Sequence, residues 1–210
     1  MANNSFDKIY TINPKRVPWG YKNADPDFIY TIEKLQLSSN TKILDMGCGN
    51  GKNTTYLKAS KFEIHAFDIS RKAISVVKKR LPSANFVVAD AAHLPYTNKY
   101  FDVALDWGLF HCIPPQKRKY VKEEILRVLK KGGHYIMRVF FTPSGHPARD
   151  PLFYENLDQT GRSIKQDLSR QQFPVWGLNF RQISQIFSRD FIIKNKFYFG
   201  NRIIVAMLKK

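Results

Sequence analysis

The sequence predicts an α/β domain with a doubly wound, mostly parallel sheet and helices on both faces. Three observations predict it. Between residues 41 and 140, strand-length apolar runs alternate with amphipathic helical stripes, the pattern of successive βα units. Four of those runs close on an acid, at Asp45, Asp68, Asp90 and Asp106, which sets four carboxylates on one rim of the sheet. Near the C-terminus two further runs are separated only by Gly200-Asn201. That spacing is a hairpin signal, and a tight hairpin forces antiparallel pairing. The sheet is therefore expected to be parallel except for one antiparallel strand near an edge.

The elements follow in order. Asp25-Pro26 starts a helix, with Asp at the cap and Pro in the first turn, and Phe28, Ile29, Ile32 and Leu35 give it one apolar stripe. Before it, Tyr10, Trp19 and Tyr21 lie in a stretch broken by Pro14, Pro18 and Gly20. Residues 41–47 form the first strand and 52–60 the helix behind it. Residues 62–68 form the second strand. Ser70 caps the next helix, whose Ile74, Val77 and Leu81 face the sheet. Residues 85–90 and 101–106 are the third and fourth strands. Pro114-Pro115 opens a helix with a stripe at Val121, Ile125, Val128 and Leu129, ended by Gly132-Gly133. Residues 134–140 form the fifth strand. Asn179 caps a helix over 180–188 with Ile183, Ile186 and Phe187 inward, and 191–199 and 202–208 form the hairpin. Residues 142–178 are too long for a simple connection. They leave the sheet at the rim of the four acids and are read as an insertion covering the substrate pocket or as a flap shielding the sheet; 163–173 has the look of a short helix.

The chemistry starts at Asp45-Met46-Gly47-Cys48-Gly49-Asn50-Gly51. Glycine lets the backbone turn sharply and lets a ligand approach closely, which is how an α/β fold makes a nucleotide-sized seat after its first strand. A dinucleotide loop would read G-x-G-x-x-G and face a pyrophosphate. Here the spacing is G-x-G-x-G, and Asp45 would repel a pyrophosphate but attract an ammonium. The preferred ligand carries positive charge and no phosphate, and S-adenosylmethionine fits. Asp68 follows Asp45 by 23 residues and is placed to accept from ribose hydroxyls; Asp90 follows by 22 more and is placed to accept from an adenine amino group.

This loop, with its strand-end acids and C-terminal hairpin, resembles the class I S-adenosylmethionine-dependent methyltransferases. The resemblance covers residues 41–140 well and the last thirty residues in part. It implies a Rossmann-like seven-stranded sheet of order 3-2-1-4-5-7-6 with the last strand antiparallel. It implies that Asp45, Gly47, Cys48 and Gly49 hold the methionine end of the cofactor. Asp68 would hold the ribose, Ile69 the adenine face, and Asp90 and Ala91 the adenine. Asp106 and Trp107 would lie beside the methyl group. An N-terminal aromatic, Trp19 or Tyr21, would fold over the cofactor, making 1–40 a covering segment and 41–210 the core of a single domain. The product would be S-adenosylhomocysteine.

Substrate class turns on Asp106-Trp107-Gly108-Leu109-Phe110-His111-Cys112-Ile113-Pro114-Pro115. The Asn/Asp-Pro-Pro-Tyr/Phe of base-amine methylation, which grips a flipped base, is absent, as is the Pro-Cys pair of cytosine-C5 enzymes. The stretch looks like the small-molecule branch, although Arg118 and Tyr120 stand one residue short of that branch's Arg-x-x-Tyr. His111 is either a base or a structural residue pinning the loop, and Asp106 is the other catalytic candidate. The expected function is methyl transfer to a small-molecule acceptor. The alternative is an RNA or protein methyltransferase. A non-catalytic scaffold and a nicotinamide oxidoreductase are further competitors, the latter lacking a glycine where its loop needs one.

Composition sets the remaining bounds. The chain has 210 residues, enough for one domain with a full core. No apolar run is long enough to cross a membrane, and the first residues hold no apolar signal core. Cys48 and Cys112 lack metal-ligand spacing, so no metal is expected; read as reduced thiols, they suggest a cytoplasmic protein. A monomer or homodimer is expected. Net charge is 34 − 17 = +17. Either Arg71, Lys72, Lys78, Lys79, Arg80 and Lys117, Arg118, Lys119, Lys122, Lys130, Lys131 are two solvated helix faces, or they serve an anionic partner such as an anionic acceptor or nucleic acid.

Overall fold

A computed structural model describes residues 6, 7, 10, 23–60, 62–141, 176–200 and 202–210. The strands are β1 (Lys42–Met46), β2 (Glu63–Asp68), β3 (Asn85–Val88), β4 (Phe101–Trp107), β5 (Leu129–Phe140), β6 (Phe191–Phe199) and β7 (Arg202–Lys209). The helices are α1 (Pro26–Lys34), α2 (Lys52–Ala59), α3 (Arg71–Arg80), α4 (Arg118–Val128) and α5 (Phe180–Phe187). They build one seven-stranded sheet of order β3-β2-β1-β4-β5-β7-β6. Strands β1 to β5 pair in parallel, and β7 runs antiparallel to both β5 and β6. The expected order and the antiparallel hairpin are both present.

Alternation along the central strands fixes which side each helix covers. Ile43, Ile64, Val103, Leu105, Ile136 and Ile204 pack with Phe28 and Ile32 of α1 and Leu57 of α2. Ala66 and Phe86 pack with Ile74 and Val77 of α3 on that same side. Leu44, Met46, Phe67, Ala104, Tyr135, Met137 and Val205 point the other way, into Val121, Ile125 and Val128 of α4 and Ile183 and Phe187 of α5. A half-buried strand would be apolar on one face only; these are apolar on both, as a doubly wound sheet requires.

Helix ends follow local chemistry. The Ser70 hydroxyl accepts from the Ala73 N–H at 3.0 Å, capping α3. Asn179 and Gln182 form a reciprocal capping box at α5, each side chain accepting from the other's backbone N–H. Asp25 stands at the cap of α1 but makes no side-chain cap bond; its carboxylate is taken by cations, as described below.

One boundary differs from expectation. α4 ends at Val128, and Leu129 already pairs with Phe101. Gly132-Gly133 does not end the helix; it lies inside β5, where the register shifts between Phe101 and Val103. A Cβ on Gly133 would stand 2.9 Å from the Lys130 carbonyl and 3.1 Å from that of Asp102, so glycine is what lets the bulged chain approach β4. The expected cover falls largely at 142–175, outside the described residues, as do 163–173, Trp19 and Tyr21.

Candidate functional site

The carboxyl ends of β1, β2 and β4 meet beside the loop 47–51. Gly47, Gly49 and Gly51 have φ of 67°, 55° and 74°, all in the left-handed region where a side chain is strained. Gly51 has a second reason to be glycine, because a Cβ there would stand 2.2 Å from Val77 Cγ2. The loop can therefore press against α3 while α2 begins at Lys52.

Three carboxylates line this rim, and all are buried. Asp45 is 2% exposed and accepts from the Thr54 hydroxyl at 2.5 Å. Burial lifts its pKa to about 6; the Thr54 bond offsets part of that rise, and Asp68 and Asp106 add to it. Asp68 accepts from the backbone N–H of Gly49 at 2.9 Å and of Ser70 at 2.8 Å, so it ties the glycine loop to β2. Burial raises its pKa as well. Neither Asp45, Asp68 nor Asp106 is bonded to a cationic side chain among the described residues.

This is an electrostatically incomplete site. Three adjacent buried acids disfavour one another's ionisation, and a cationic ligand would relieve that. A positively charged amino group beside Asp45 fits, as does a flat base against Ile69, a large apolar side chain left 43% exposed at the rim. Asp90 accepts from the Ala92 N–H at 2.9 Å, and Ala91 is buried beside it. The residues present thus fit S-adenosylmethionine.

Asp106 behaves differently from the expectation that its carboxylate works beside the methyl group. It accepts from the N–H groups of Gly108 (3.2 Å), Leu109 (2.7 Å) and Phe110 (3.0 Å) and from the Tyr135 hydroxyl (3.0 Å). Those donors match the roughly four lone-pair directions of a carboxylate. Asp106 therefore shapes the loop after β4 rather than facing a ligand, although burial raises its pKa to about 6. Trp107, next in sequence, projects to the other side of the sheet and meets Phe28 edge-on at 5.0 Å.

His111 sits in a short 3₁₀ turn, buried against Phe140 with ring centroids 4.7 Å apart. Among the described residues its Nδ1 has no hydrogen-bond partner. Burial, with Arg138, Arg202 and Arg118 nearby, holds its pKa down to about 3. A base so weak is neutral at any physiological pH and takes a proton poorly. The imidazole suits a hydrogen-bonding role better.

A group of charges beyond β4 was not read from the sequence. Arg138 lies in β5 with Asp25 at 3.0 Å and Asp27 at 3.1 Å, and Lys52 reaches Asp25 at 2.7 Å. The Arg138 guanidinium also lies over the Trp107 ring, 5.1 Å from its centroid. The available signal was a lone arginine inside the apolar run Tyr135-Ile136-Met137-Arg138-Val139-Phe140. Thr54 was missed too; its signal is a hydroxyl in the first turn of the helix behind the loop. Of the basic helix faces, Arg71, Lys72, Lys78, Lys79 and Arg80 of α3 are exposed, whereas Lys122 pairs with Asp190 and Lys130 with Asp102. A polar groove of about 440 Å³ lies at the opposite end of the sheet, beside Asn40, Asp102 and Gly132. It is remote from the acids.

Comparison with known proteins agrees with the geometry. Residues 43–133 match the family described as "Methyltransferase domain". The chain is 29% identical over 113 residues to a demethylmenaquinone methyltransferase of Paenarthrobacter aurescens, covering 53% of this chain and 44% of that protein. It is 32% identical over 121 residues to an uncharacterised methyltransferase of Synechocystis, covering 58% and 57%. The chain spans about half the length of the curated relatives it matches. Its fold superposes on the Burkholderia thailandensis 1,6-didemethyltoxoflavin-N1-methyltransferase, solved with 1,6-didemethyltoxoflavin and S-adenosylhomocysteine, at a TM-score of 0.73 and 17% identity, covering 98% of this chain and 87% of that one. Residues 43–133 thus match a methyltransferase domain, and the chain has the seven-stranded Rossmann-like fold of the solved S-adenosylmethionine-dependent methyltransferases.

Proposed function

We propose that this protein transfers a methyl group from S-adenosylmethionine to a small-molecule acceptor by in-line displacement. The observation that carries the reading is the rim of buried acids beside a left-handed glycine loop, with no cation bonded to them among the described residues. The cofactor, when bound, supplies an electrophilic methyl group on a sulfonium whose leaving thioether is neutral, so no acid is needed to protonate it.

The residues of the chain bind and orient. Asp45, held by Thr54, attracts the ammonium of the methionine end. Asp68 fixes the Gly49 backbone and borders the ribose, Ile69 offers an apolar face to the adenine, and Asp90 and Ala91 border its edge. Asp106 holds the 108–110 backbone in one conformation, which sets where Trp107 and His111 stand. Alignment of the acceptor in a dry pocket is then the main contribution to rate. Trp19 or Tyr21 remains our candidate for covering the cofactor, and residues 142–178 for covering the acceptor.

Two things support a small acceptor: the loop Asp106-Trp107-Gly108-Leu109, and relatives whose names give small molecules as acceptors. The exposed basic row of α3 favours the second reading, an RNA or protein substrate. Calorimetry with S-adenosylmethionine and S-adenosylhomocysteine tests the cofactor. Mass spectrometry of a metabolite extract incubated with protein and methyl-labelled cofactor tests the acceptor. Labelled small products are expected; label entering only RNA or protein would overturn the small-molecule reading.

A further inference from the structure

The far side of the loop after β4 has the opposite electrostatic character. Arg138 and Lys52 share Asp25, and Arg138 also holds Asp27. Arg202, at the start of β7, is a third cation near Asp25. Three cations thus face two carboxylates. Arg202 has no carboxylate of its own among the described residues; its guanidinium lies over the Phe140 ring, 5.7 Å from the centroid. Burial lowers the Lys52 pKa, Asp25 offsets part of that, and Arg138 and Arg202 add a smaller repulsion.

Among the described residues, two buried ring nitrogens on this side lack hydrogen-bond partners. They are Nδ1 of His111, a residue 5% exposed, and Nε1 of Trp107. Arg118 also approaches His111, and its own donors go to the backbone carbonyls of Ile113 and Trp176 rather than to an acid. Gly108, at φ 116°, leaves a Cβ-sized space whose nearest neighbour is His111 Cε1 at 3.5 Å. Among the described residues, surplus positive charge, unpartnered ring nitrogens and two aromatic faces therefore lie together at the ends of β4, β5 and β7. A buried polar atom without a partner is uncommon in a folded protein and calls for an explanation.

We propose that this region is an oxyanion-binding acceptor subsite: the methyl acceptor carries a carboxylate-like negative group that is held by Arg202 and Arg138, with His111 and Trp107 bordering its aromatic or planar body. The inference rests on the methyltransferase reading above and names the substrate class for the same site. The α-carboxylate of the cofactor is the other source of an oxyanion. Strands lie about 4.8 Å apart, which puts β7 roughly 14 Å from β1, across β4 and β5. Lys52, which follows the glycine loop directly, nevertheless shares Asp25 with Arg138, so the response of S-adenosylhomocysteine to substitution of Arg202 distinguishes the two sources.

The test uses full-length protein saturated with S-adenosylhomocysteine, titrated calorimetrically with benzoate and with benzamide as a shape-matched neutral probe. Benzoate should bind at least tenfold tighter than benzamide. Arg202→Gln should weaken benzoate at least fivefold while leaving S-adenosylhomocysteine affinity within twofold. Arg202→Lys, which keeps the charge, should recover part of the loss and guards against a folding defect in the first variant. Equal binding of the two probes, or binding of neither, overturns the subsite. If Arg202→Gln weakens S-adenosylhomocysteine as much as benzoate, the oxyanion is the cofactor's. Failure of the unaltered protein to bind S-adenosylhomocysteine at all would instead sink the methyltransferase reading.

Discussion

The two halves of the site rim differ in the sign of their field. Around β1, β2 and β4, Asp45, Asp68 and Asp106 are buried without cations, and the first and last have pKa values lifted to about 6. Beyond the loop after β4, Arg138 of β5, Arg202 of β7 and Lys52 at the start of α2 outnumber Asp25 and Asp27 among the described residues, and His111 is pushed down to about 3. Only the loop 107–111 separates them. Neighbouring regions of opposite potential suit two ligands of opposite charge. A cationic donor and an anionic acceptor would each neutralise its own half and attract the other across the loop. The +17 balance of the chain thus has a local meaning on the basic half, apart from the solvated row on α3.

The largest way to break the comparison is at Arg138. It is 9% exposed and serves two buried acids. Arg138→Met should destabilise the protein by about 3–5 kcal/mol, the cost of leaving buried charges without their partner. Adding Asp25→Asn and Asp27→Asn should restore much of that loss. Urea denaturation of the three proteins checks it. A single variant as stable as the parent would show that the cluster is hydrated and that the basic half is not a low-dielectric region.

This cluster also shows where sequence reasoning stops. The acids of the other half were legible because each ends a strand, so one periodic rule finds all of them, and the glycine loop fixes which end of the sheet they share. Arg138 and Asp27 are 111 residues apart. Nothing local predicts their pairing, and Asp25 reads equally well as a helix cap. Asp106 shows a related limit. An acid at a strand end looks the same in sequence whether it faces a ligand or the N–H groups of its own turn. The helix-to-strand boundary at Leu129 is not legible in the sequence, because that residue satisfies both the helical stripe of α4 and the apolar run of β5, and Gly132-Gly133 resembles a helix stop when it is a bulge.

The acidic half is tested next at Asp45. Asp45→Asn should weaken S-adenosylhomocysteine by roughly 2–5 kcal/mol, the range for truncating one partner of a buried charge pair. The same variant should stabilise the ligand-free protein at pH 7. Ionising Asp45 in the fold costs about 2 to 3 kcal/mol, since its pKa of about 6 lies some two units above that of an unfolded aspartate. The sign is that of a raised pKa: the parent is free of this cost below about pH 4 and carries it in full above 6, so the variant's advantage appears as pH rises through that window. Cofactor affinity should run the other way, falling as pH drops below 6 and Asp45 takes a proton. Calorimetry between pH 5 and 8 reads this directly, and the fall should be absent in the variant. Lost affinity without gained stability would mean that the carboxylate is satisfied before ligand arrives.

A smaller effect is expected at Asp68. Asp68→Ala should cost on the order of 1.5–3 kcal/mol in cofactor binding, the value of a hydrogen bond to a charged group. Because Asp68 also ties down Gly49, Asp68→Asn should recover less than half of that loss: its amide keeps one acceptor for two backbone donors. Affinity unchanged in both variants would remove Asp68 from the site and leave β2 as scaffold.

The smallest change expected is no change. If the basic half is as positive as its arginines imply, the His111 imidazole stays neutral from pH 8 down to 5. Its proton NMR signal, identified by its loss in His111→Phe, should then show no titration over that range. The substitution keeps the ring packed on Phe140 and removes only the nitrogens, so stability should change little while benzoate binding weakens. A midpoint near 6.5 would mean that the arginine charges are screened from the ring by water. In that event the two halves of the rim would not differ in sign, and His111 would regain its standing as a general base, its Nδ1 free to accept a proton from an acceptor hydroxyl or amine.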